Sequence, residues 1–196
     1  MRNDLEQTVE LFSGDAPFSI LADDLGFKTF MVDHVAWLKP SLVADVLTLN
    51  PNRLPWAPHI IWAAPPSYAL QNDRGGLQGS PRSRPEELAA VRAAVSAFRR
   101  TKAMWWFLEI RTFHPNGMAR VFGPNAISAG LFRHEIDHAQ YGEDANYSEV
   151  WTNARWWSPR GASTTRRPAK QYTRQRLPAG VYQEVFEHLG EYRRAA

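Results

Sequence analysis

The sequence predicts an α/β fold with a mostly parallel central sheet flanked by helices. Short apolar runs of strand length alternate with stretches long enough for a helix, which is typical of parallel strands joined by crossovers. The chain has 196 residues, of which 44% are hydrophobic, and this size and composition suit one domain with a substantial core. Neither an internal repeat nor a change in composition marks a second domain, so we expect a single domain over residues 1–196.

The first half of the chain contains four predicted strands and one helix. A β-like run at 8–11 breaks at the Ser-Gly-Asp-Ala-Pro turn of residues 13–17. Residues 18–25 then have helical spacing, and Gly26 is suited to end that helix as its C-cap. The remaining strands of this half are predicted at 27–32, 41–44 and 60–63.

The second half contains a polar loop, a long helix, three strands and a closing helix. Residues 71–84 are rich in Gly, Ser and Arg and predict a mobile loop. Residues 85–100 predict an amphipathic helix, because a proline and two glutamates open it and two arginines close it. Strands are predicted at 104–110, 132–141 and 149–151, and the last helix at 180–189.

Composition excludes several classes of protein. No apolar segment is long enough to span a membrane. The N-terminal stretch MRNDLEQTVELF lacks the basic and then apolar order of a secretion signal, so a cytoplasmic location is expected. The absence of cysteine rules out disulfides, cysteine zinc sites and thiol nucleophiles together.

Basic residues are concentrated near the C-terminus, although the formal net charge is only +3. Such clustering favours a polyanionic partner, usually nucleic acid, and a solvated loop is the alternative interpretation. Within this basic region, residues 155–176, Trp156 and Trp157 either pack in the core or stack on bases. The candidate nucleic-acid-binding residues are Arg155, Arg160, Arg166, Arg167, Lys170 and Arg174.

Candidate ligand-binding residues follow the predicted strands at one edge of the sheet. In open parallel sheets, ligands bind beyond the carboxyl ends of the strands. The residues at those ends are Gly14, Asp33, Asp45, Ser67 and Glu109. Ordinary loop chemistry is the alternative for any one of them, but together they predict a common cleft.

Taken in order, six segments resemble the motifs of the DNA cytosine-C5 methyltransferases, especially the short versions that bacteriophages encode. ELFSGDAPFS is similar to the strand and turn that hold S-adenosylmethionine (SAM), VDH to the acidic end of the second strand, and ADVLTLNP to the segment that contacts adenine. IIWAAPPS is similar to the Pro-Pro-Cys catalytic loop, WWFLEIR to the Glu-Asn strand, and YSEVWTNARWWSPR to the arginine-rich stretch before the last helix. The resemblance covers most of the chain. It implies a Rossmann-like SAM-dependent methyltransferase fold, DNA as a partner, a host or phage protein as a further candidate partner, and the cytoplasm of a bacterial host.

The resemblance also implies a cosubstrate site. The residues that it assigns to SAM are Phe12, Gly14, Asp33, Asp45 and Pro65. Ala16 and Pro17 stand where the family has glycines, which alters the approach of the backbone to the ligand. Asp33 and Asp45 would contact ribose and adenine, or would instead be a turn former and a loop cap.

The catalytic positions of the family are changed in this chain. In the family, the cysteine after Pro-Pro attacks C6 of a flipped-out cytosine, and Ser67 stands at that position. Glu109 matches the glutamate that binds the target base, but Ile110 and Arg111 replace its Asn and Pro neighbours. Residues 146–149 replace an arginine-containing catalytic segment. We therefore expect a pseudoenzyme that binds DNA or a protein partner; the alternative is an active SAM-dependent pyrimidine-modifying enzyme that uses Ser67 and Glu109.

One motif lies outside this resemblance, namely His-Glu-x-x-His at residues 134–138, which reads HEIDH as in peptide deformylases. On a helix, His134 and His138 would lie one turn apart and could bind zinc, with Glu135 as the general base. We expect a strand here, in which residues four apart are separated by roughly 13 Å. The cysteine ligand of the deformylases is also absent. A zinc hydrolase is thus the second alternative, and no metal is expected.

Overall fold

A computed structural model describes residues 6–66, 84–110, 121, 130–143, 147–160 and 177–195. The strands are β1 (Gln7–Leu11), β2 (Lys28–Asp33), β3 (Leu42–Val43), β4 (Ile60–Ala63), β5 (Trp105–Ile110), β6 (Phe132–Asp137) and β7 (Tyr147–Thr152). The helices are α1 (Pro17–Asp24), α2 (Arg84–Thr101) and α3 (Ala179–Ala195). Short 3₁₀ helices occur at Ala36–Leu38, Val46–Thr48, Pro51–Arg53 and His138–Tyr141. Within the described ranges, no helix combines the length and apolar character that crossing a membrane requires.

The strands form one seven-stranded sheet in the order β3-β2-β1-β4-β5-β7-β6. The neighbours from β3 to β5 are all parallel, whereas β7 is antiparallel to both β5 and β6. The mostly parallel sheet predicted from the sequence is therefore confirmed. Strands β1 to β6 all end at one edge, which we call the carboxyl edge. They begin at the opposite edge, which we call the amino edge, and β7 ends there.

Two apolar clusters cover the two faces of the sheet. On one face, α2 packs on β-strand residues that include Val9, Ile61 and Leu108. On the other face, α1 and α3 pack around Trp62, whose side chain is fully buried. The Trp62 ring stacks on Phe18 and on Phe107, in each case with centroids 5.2 Å apart. Large aromatic rings dominate core energetics, so this stack is the centre of the second face.

Helix α1 is held at its start by a residue of the sheet. Its N-cap residue, Ala16, has a left-handed backbone and provides no side-chain hydrogen bond. Instead, the buried Glu10 of β1 accepts a hydrogen bond from the Ser19 N–H at 2.9 Å. A carboxylate thereby satisfies one of the free N–H groups of the first helical turn. Pro17 suits the first helical position, where the missing N–H has no intrahelical partner in any case.

The predicted element boundaries are mostly right, with one clear error. The strand predicted at 60–63 is observed as Ile60–Ala63, whereas the last helix continues past 189 to Ala195. The strand predicted at 132–141 is wrong in its final part, because β6 ends at Asp137 and His138–Tyr141 is a 3₁₀ helix. Asp137 causes this ending: its Oδ1 accepts a hydrogen bond from the Ala139 N–H at 3.1 Å. Residues 71–83 of the predicted loop lie outside the described residues, and Arg84 is the first residue of α2.

Candidate functional site

The carboxyl edge brings together most of the residues predicted to bind a ligand. Gly14 follows β1, Asp33 ends β2, Asp45 follows β3, Pro65 follows β4, and Glu109 is the penultimate residue of β5. Since these strands are parallel and adjacent, the five residues form a row along one side of the sheet. Ser67 lies outside the described residues.

The turn between β1 and α1 has the backbone shape that glycine favours, although glycine occupies only one of its positions. Phe12, Gly14 and Ala16 have φ angles of 55°, 52° and 55°, all in the left-handed region. A left-handed backbone costs an L-residue roughly 1–2 kcal/mol, so the surrounding contacts must stabilise it at Phe12 and Ala16. Two backbone hydrogen bonds do so: the Ser13 N–H donates to the Val32 carbonyl at 3.2 Å, and the Ala16 N–H donates to the Ser13 carbonyl at 2.7 Å.

Asp33 joins the first two strands at this turn. Its Oδ2 accepts a hydrogen bond from the Gly14 N–H at 2.9 Å, and its Oδ1 accepts one from the Val35 N–H, also at 2.9 Å. The side chain is buried, and His34 lies beside it with Nδ1 3.4 Å from Oδ1. Asp33 therefore acts as a turn former, and it also fixes the distance between the glycine turn and the end of β2.

Asp45 and Pro65 differ in their exposure. Asp45 is exposed and caps the 3₁₀ helix Val46–Thr48, since its Oδ1 accepts a hydrogen bond from the Leu47 N–H at 2.9 Å. Pro65 is buried just past β4. The loop-cap interpretation of Asp45 is thus observed in the structure.

Glu109 is a buried carboxylate at the carboxyl edge. It is 4% exposed, and the phenol of Tyr182 on α3 donates a hydrogen bond to its Oε2 at 3.3 Å. The next residue, Ile110, points to the opposite face and is fully buried in the apolar cluster under α2. Ile110 therefore has a packing role, and sequence reasoning did not identify Tyr182 as a partner of Glu109.

Further polar side chains at this edge come from the 3₁₀ helix after β6 and from β7. His138 is fully buried, and its Nε2 lies 3.0 Å from the Ser148 Oγ. The His138 Nδ1 lies 3.6 Å from Glu143. On the other face, Arg133 forms an ion pair with the buried Glu149, and that contact raises the pKa of the guanidinium. These networks join β6 to β7, so Ser148 and Glu149 have structural roles.

The HEIDH segment does not have the helical shape of a zinc motif. His134 lies within β6, and its ring packs against Trp157 with centroids 4.9 Å apart. Burial lowers the pKa of His134 to about 4. His138 begins the following 3₁₀ helix and contacts Ser148. In the part of the chain that the structure describes, no three His, Asp or Glu side chains are grouped closely enough to hold a metal ion.

The first two basic residues of the 155–176 region lie toward opposite edges of the sheet. Arg155 is exposed just after β7 ends, at the amino edge. Arg160 lies toward the carboxyl edge, where its N–H and its Nε contact Glu184 at 2.9 and 3.2 Å. Trp157, between them, is 1% exposed, so its packing interpretation is correct. Arg166, Arg167, Lys170 and Arg174 lie outside the described residues.

Glu184 of helix α3 anchors the segment 155–160, which runs from the amino edge toward the carboxyl edge. Besides Arg160, its carboxylate lies 2.9 Å from the Tyr141 hydroxyl, which is also 2.7 Å from the Arg160 carbonyl oxygen, so the single phenol proton is shared between these two acceptors. Burial, reinforced by Glu184, raises the pKa of Tyr141, so the phenol remains a donor. The start of α3 is thereby tied to the end of β6.

The strand order, with β7 antiparallel between β5 and β6 and helices on both faces, defines the fold of the SAM-dependent methyltransferases. A protein described as a DNA modification methyltransferase encoded within an E. coli prophage matches 75% of this chain with a TM-score of 0.55 and 14% identity. The METTL16 methyltransferase domain matches 76% with a TM-score of 0.51 and 9% identity. The chain spans only 46% and 59% of the lengths of these two structures. No family model matches the chain, and no curated protein matches its sequence.

Proposed function

We propose that this chain binds SAM at the carboxyl edge and engages DNA there, without performing the cysteine-dependent transfer of a methyl group to cytosine. The observation that carries the proposal is the junction of β1 and β2, where the Gly14 N–H donates to Asp33 at 2.9 Å. This bond sets a glycine turn beside a buried carboxylate, in a fold shared with SAM-dependent methyltransferases. The protein would then be a pseudoenzyme that binds DNA or a protein partner.

The carboxylates of this row suit the nucleoside part of SAM. Each oxygen of an ionised carboxylate has about two acceptor sites, so both oxygens of Asp33 can accept a further hydrogen bond from ribose hydroxyls. Asp45 is exposed one strand further along, where it can accept from an adenine amino group. Phe12 is half-buried and adjoins the turn, and Pro65 closes the row after β4. Together with Gly14, these four residues remain the proposed cosubstrate site.

The chemistry argues against the standard reaction. Transfer to C5 of cytosine needs a nucleophile that adds to C6, and the chain has no cysteine. Ser67 occupies the family position, but a hydroxyl needs an adjacent base to react, whereas a thiol with a pKa of about 8.5 supplies some thiolate unaided. With Ile110 packed in the core, the surroundings of Glu109 also differ from those of the family.

DNA is the proposed macromolecular partner at this edge. The prophage protein of similar fold is described as a DNA modification methyltransferase. Arg160 is exposed beside the carboxyl edge and begins the basic run that includes Arg166, Arg167, Lys170 and Arg174. If these residues contact phosphates, affinity for DNA should fall steeply with salt, because each contact releases counterions.

Calorimetry with SAM tests the cosubstrate site. We expect micromolar binding that weakens by about tenfold in Asp45→Ser, since a hydrogen bond to a charged group contributes about 1.5 kcal/mol or more. Serine can still cap the 3₁₀ helix, so the variant should fold. The matched control is Asn50→Ser, which changes the cap of the next 3₁₀ helix, where Asn50 accepts from the Asn52 N–H at 3.0 Å. Absence of heat at millimolar SAM would reject the proposed cosubstrate site.

Transfer of labelled methyl from SAM to DNA tests the second part of the proposal. We expect little transfer by the wild type and by Ser67→Cys, because the altered neighbours of Glu109 also matter. Ser158→Cys, which places a thiol at an exposed position elsewhere in the chain, is the control. Robust transfer by Ser67→Cys alone would mean that only the nucleophile is missing, and the wider loss of function proposed here would be wrong.

A second candidate function is methylation of a different pyrimidine, one whose C6 is more electrophilic than that of cytosine. The buried Glu109, held by the Tyr182 phenol, favours it, because the family uses this glutamate to bind the target base. Labelled transfer to DNA that carries modified pyrimidines, lost in Glu109→Gln, would support this activity. Equal background counts for wild type and Glu109→Gln would eliminate it.

A further inference from the structure

Three aromatic rings from distant parts of the chain meet at the amino edge. The candidate site lies at the other edge of the sheet, the carboxyl edge. Trp105 begins β5, Trp156 follows the end of β7, and Tyr192 lies near the end of α3. Their centroids are 5.3, 6.0 and 6.1 Å apart in the three pairings, so each ring contacts the other two. We call Trp105, Trp156 and Tyr192 the ring cluster. Part of it faces solvent, since Tyr192 is 45% exposed and Met104, which precedes Trp105 in the chain, is 54% exposed.

Several exposed cations lie at the amino edge, where α2, β7 and α3 all end. They are Arg99, Arg100 and Lys102 at the end of α2, Arg155 beside Trp156, and Arg194 at the end of α3. None of these five side chains forms a salt bridge with another described residue. Nearby, Arg193 already pairs with Glu6, and Glu191 is the acidic residue on the same turn of α3. Asp23 and Asp24 end α1 at the same edge, so the positive charge is concentrated at the ends of α2, β7 and α3.

This combination of groups fits a nucleic acid with unpaired bases. Packing of α3 against the sheet explains why the rings touch each other, but it does not explain the exposed cations at the ends of α2 and β7. Phosphates neutralise such charges and release counterions on binding. Exposed aromatic rings stack on bases, which are accessible only where the strand is not paired. A duplex would satisfy the cations and leave the rings unused.

We propose that the amino edge is a binding surface for single-stranded nucleic acid, with the ring cluster stacking on bases and the five cations contacting phosphates. This surface is separate from the carboxyl edge and does not depend on SAM binding. Arg155 belongs to this surface, whereas Arg160 lies toward the carboxyl edge. The two residues were grouped together in the sequence analysis.

Fluorescence anisotropy with a labelled oligodeoxythymidine of about 20 nucleotides tests the proposal on the full chain. Tyr192→Ala should weaken binding by at least about fivefold, because stacking on one aromatic side chain contributes about 1–3 kcal/mol per base. Tyr192→Phe keeps the ring and should bind like the wild type. Binding of inorganic polyphosphate, which has no bases, should be the same for all three proteins. Unchanged oligonucleotide affinity in Tyr192→Ala would overturn the stacking role.

A matched pair of double variants tests the cations. Arg99→Gln with Arg100→Gln should lower the slope of log affinity against log salt by about 1–1.5, since a single-stranded phosphate contact contributes about 0.7. Arg53→Gln with Arg92→Gln removes the same charge from exposed positions elsewhere and should leave the slope unchanged. Equal losses in both double variants would mean that net charge alone drives binding, and the proposed surface would be wrong.

Two further arms identify the ligand. A duplex of the same length should bind more weakly than the single strand, and comparison with oligouridine shows whether RNA or DNA is preferred. Calorimetry with SAM on the Arg99–Arg100 double variant should match the wild type, so failure of this surface is distinguishable from failure of the cosubstrate site. Stronger binding of duplex than of single strand, or a dimer in sedimentation that is dissociated by Tyr192→Ala, would refute the proposal.

Discussion

Acidification should destabilise this protein through one histidine, His134 of β6. Burial lowers the pKa of His134 from 6.5 to about 4, and its Nε2 is buried with no hydrogen-bond partner among the described residues. Between these two pKa values, the unfolded chain binds a proton that the folded chain does not. The free energy of unfolding therefore falls as the pH drops from about 6.5 toward 4, and it levels off below that range.

The size of the effect follows from the shift. Moving a pKa from 6.5 to about 4 corresponds to a loss of about 3 kcal/mol when the transition is complete, of which about 2 kcal/mol is lost by pH 5. The His134 ring is only partly buried, so screening by water reduces the expected loss at pH 5 to about 1–2 kcal/mol. A change of this size is a large share of the stability of a typical domain.

Urea unfolding at pH 7.5 and pH 5 measures this loss. His134→Phe keeps an aromatic ring against Trp157 and cannot be protonated, so its stability should fall by about 1–2 kcal/mol less than that of the wild type over this range. The control is His34→Gln, because the His34 side chain is 58% exposed, and it should follow the wild type. An identical pH dependence for wild type and His134→Phe would show that burial of this ring does not control acid stability.

Three further substitutions test the packing that supports the two edges, each measured by urea unfolding at pH 7.5. Glu184→Gln removes the carboxylate charge that pairs with Arg160 and should lower the free energy of unfolding by about 1–3 kcal/mol. Glu187→Gln changes an exposed residue of the same helix and should lower it by less than about 0.5 kcal/mol. Tyr182→Phe removes one donor to the buried Glu109 and should cost about 1–2 kcal/mol; a neutral result would mean that this hydrogen bond adds nothing. Trp62→Ala opens the centre of the aromatic stack and should cost about 3–5 kcal/mol, and a loss below 1 kcal/mol would contradict the fully buried position of the ring.

Local sequence was sufficient to predict the strands and helices, because their periodicity and end signals are local. The run 60–63 is apolar on both faces and bounded by prolines, and it is β4 in the structure. The error at 138–141 has a specific cause: Asp137 and Gly142 form a capped turn that ends β6, and alternation alone does not reveal such a cap. The role of Asp33 also depends on more than local sequence. One of its backbone hydrogen bonds comes from the nearby Val35, but the other comes from Gly14, 19 positions away.

By itself, the sequence determined the α/β class, the absence of a thiol nucleophile and the row of polar residues after parallel strands, because each depends only on residue type, spacing and order along the chain. The tertiary structure alone decided which of those residues have partners: Glu109 meets Tyr182 across 73 positions, and Arg155 and Arg160 lie toward opposite edges although they are close in sequence. It also brought Trp105, Trp156 and Tyr192 into contact. Side-chain contacts between distant segments are set by how helices pack across the sheet, and no local pattern contains that information.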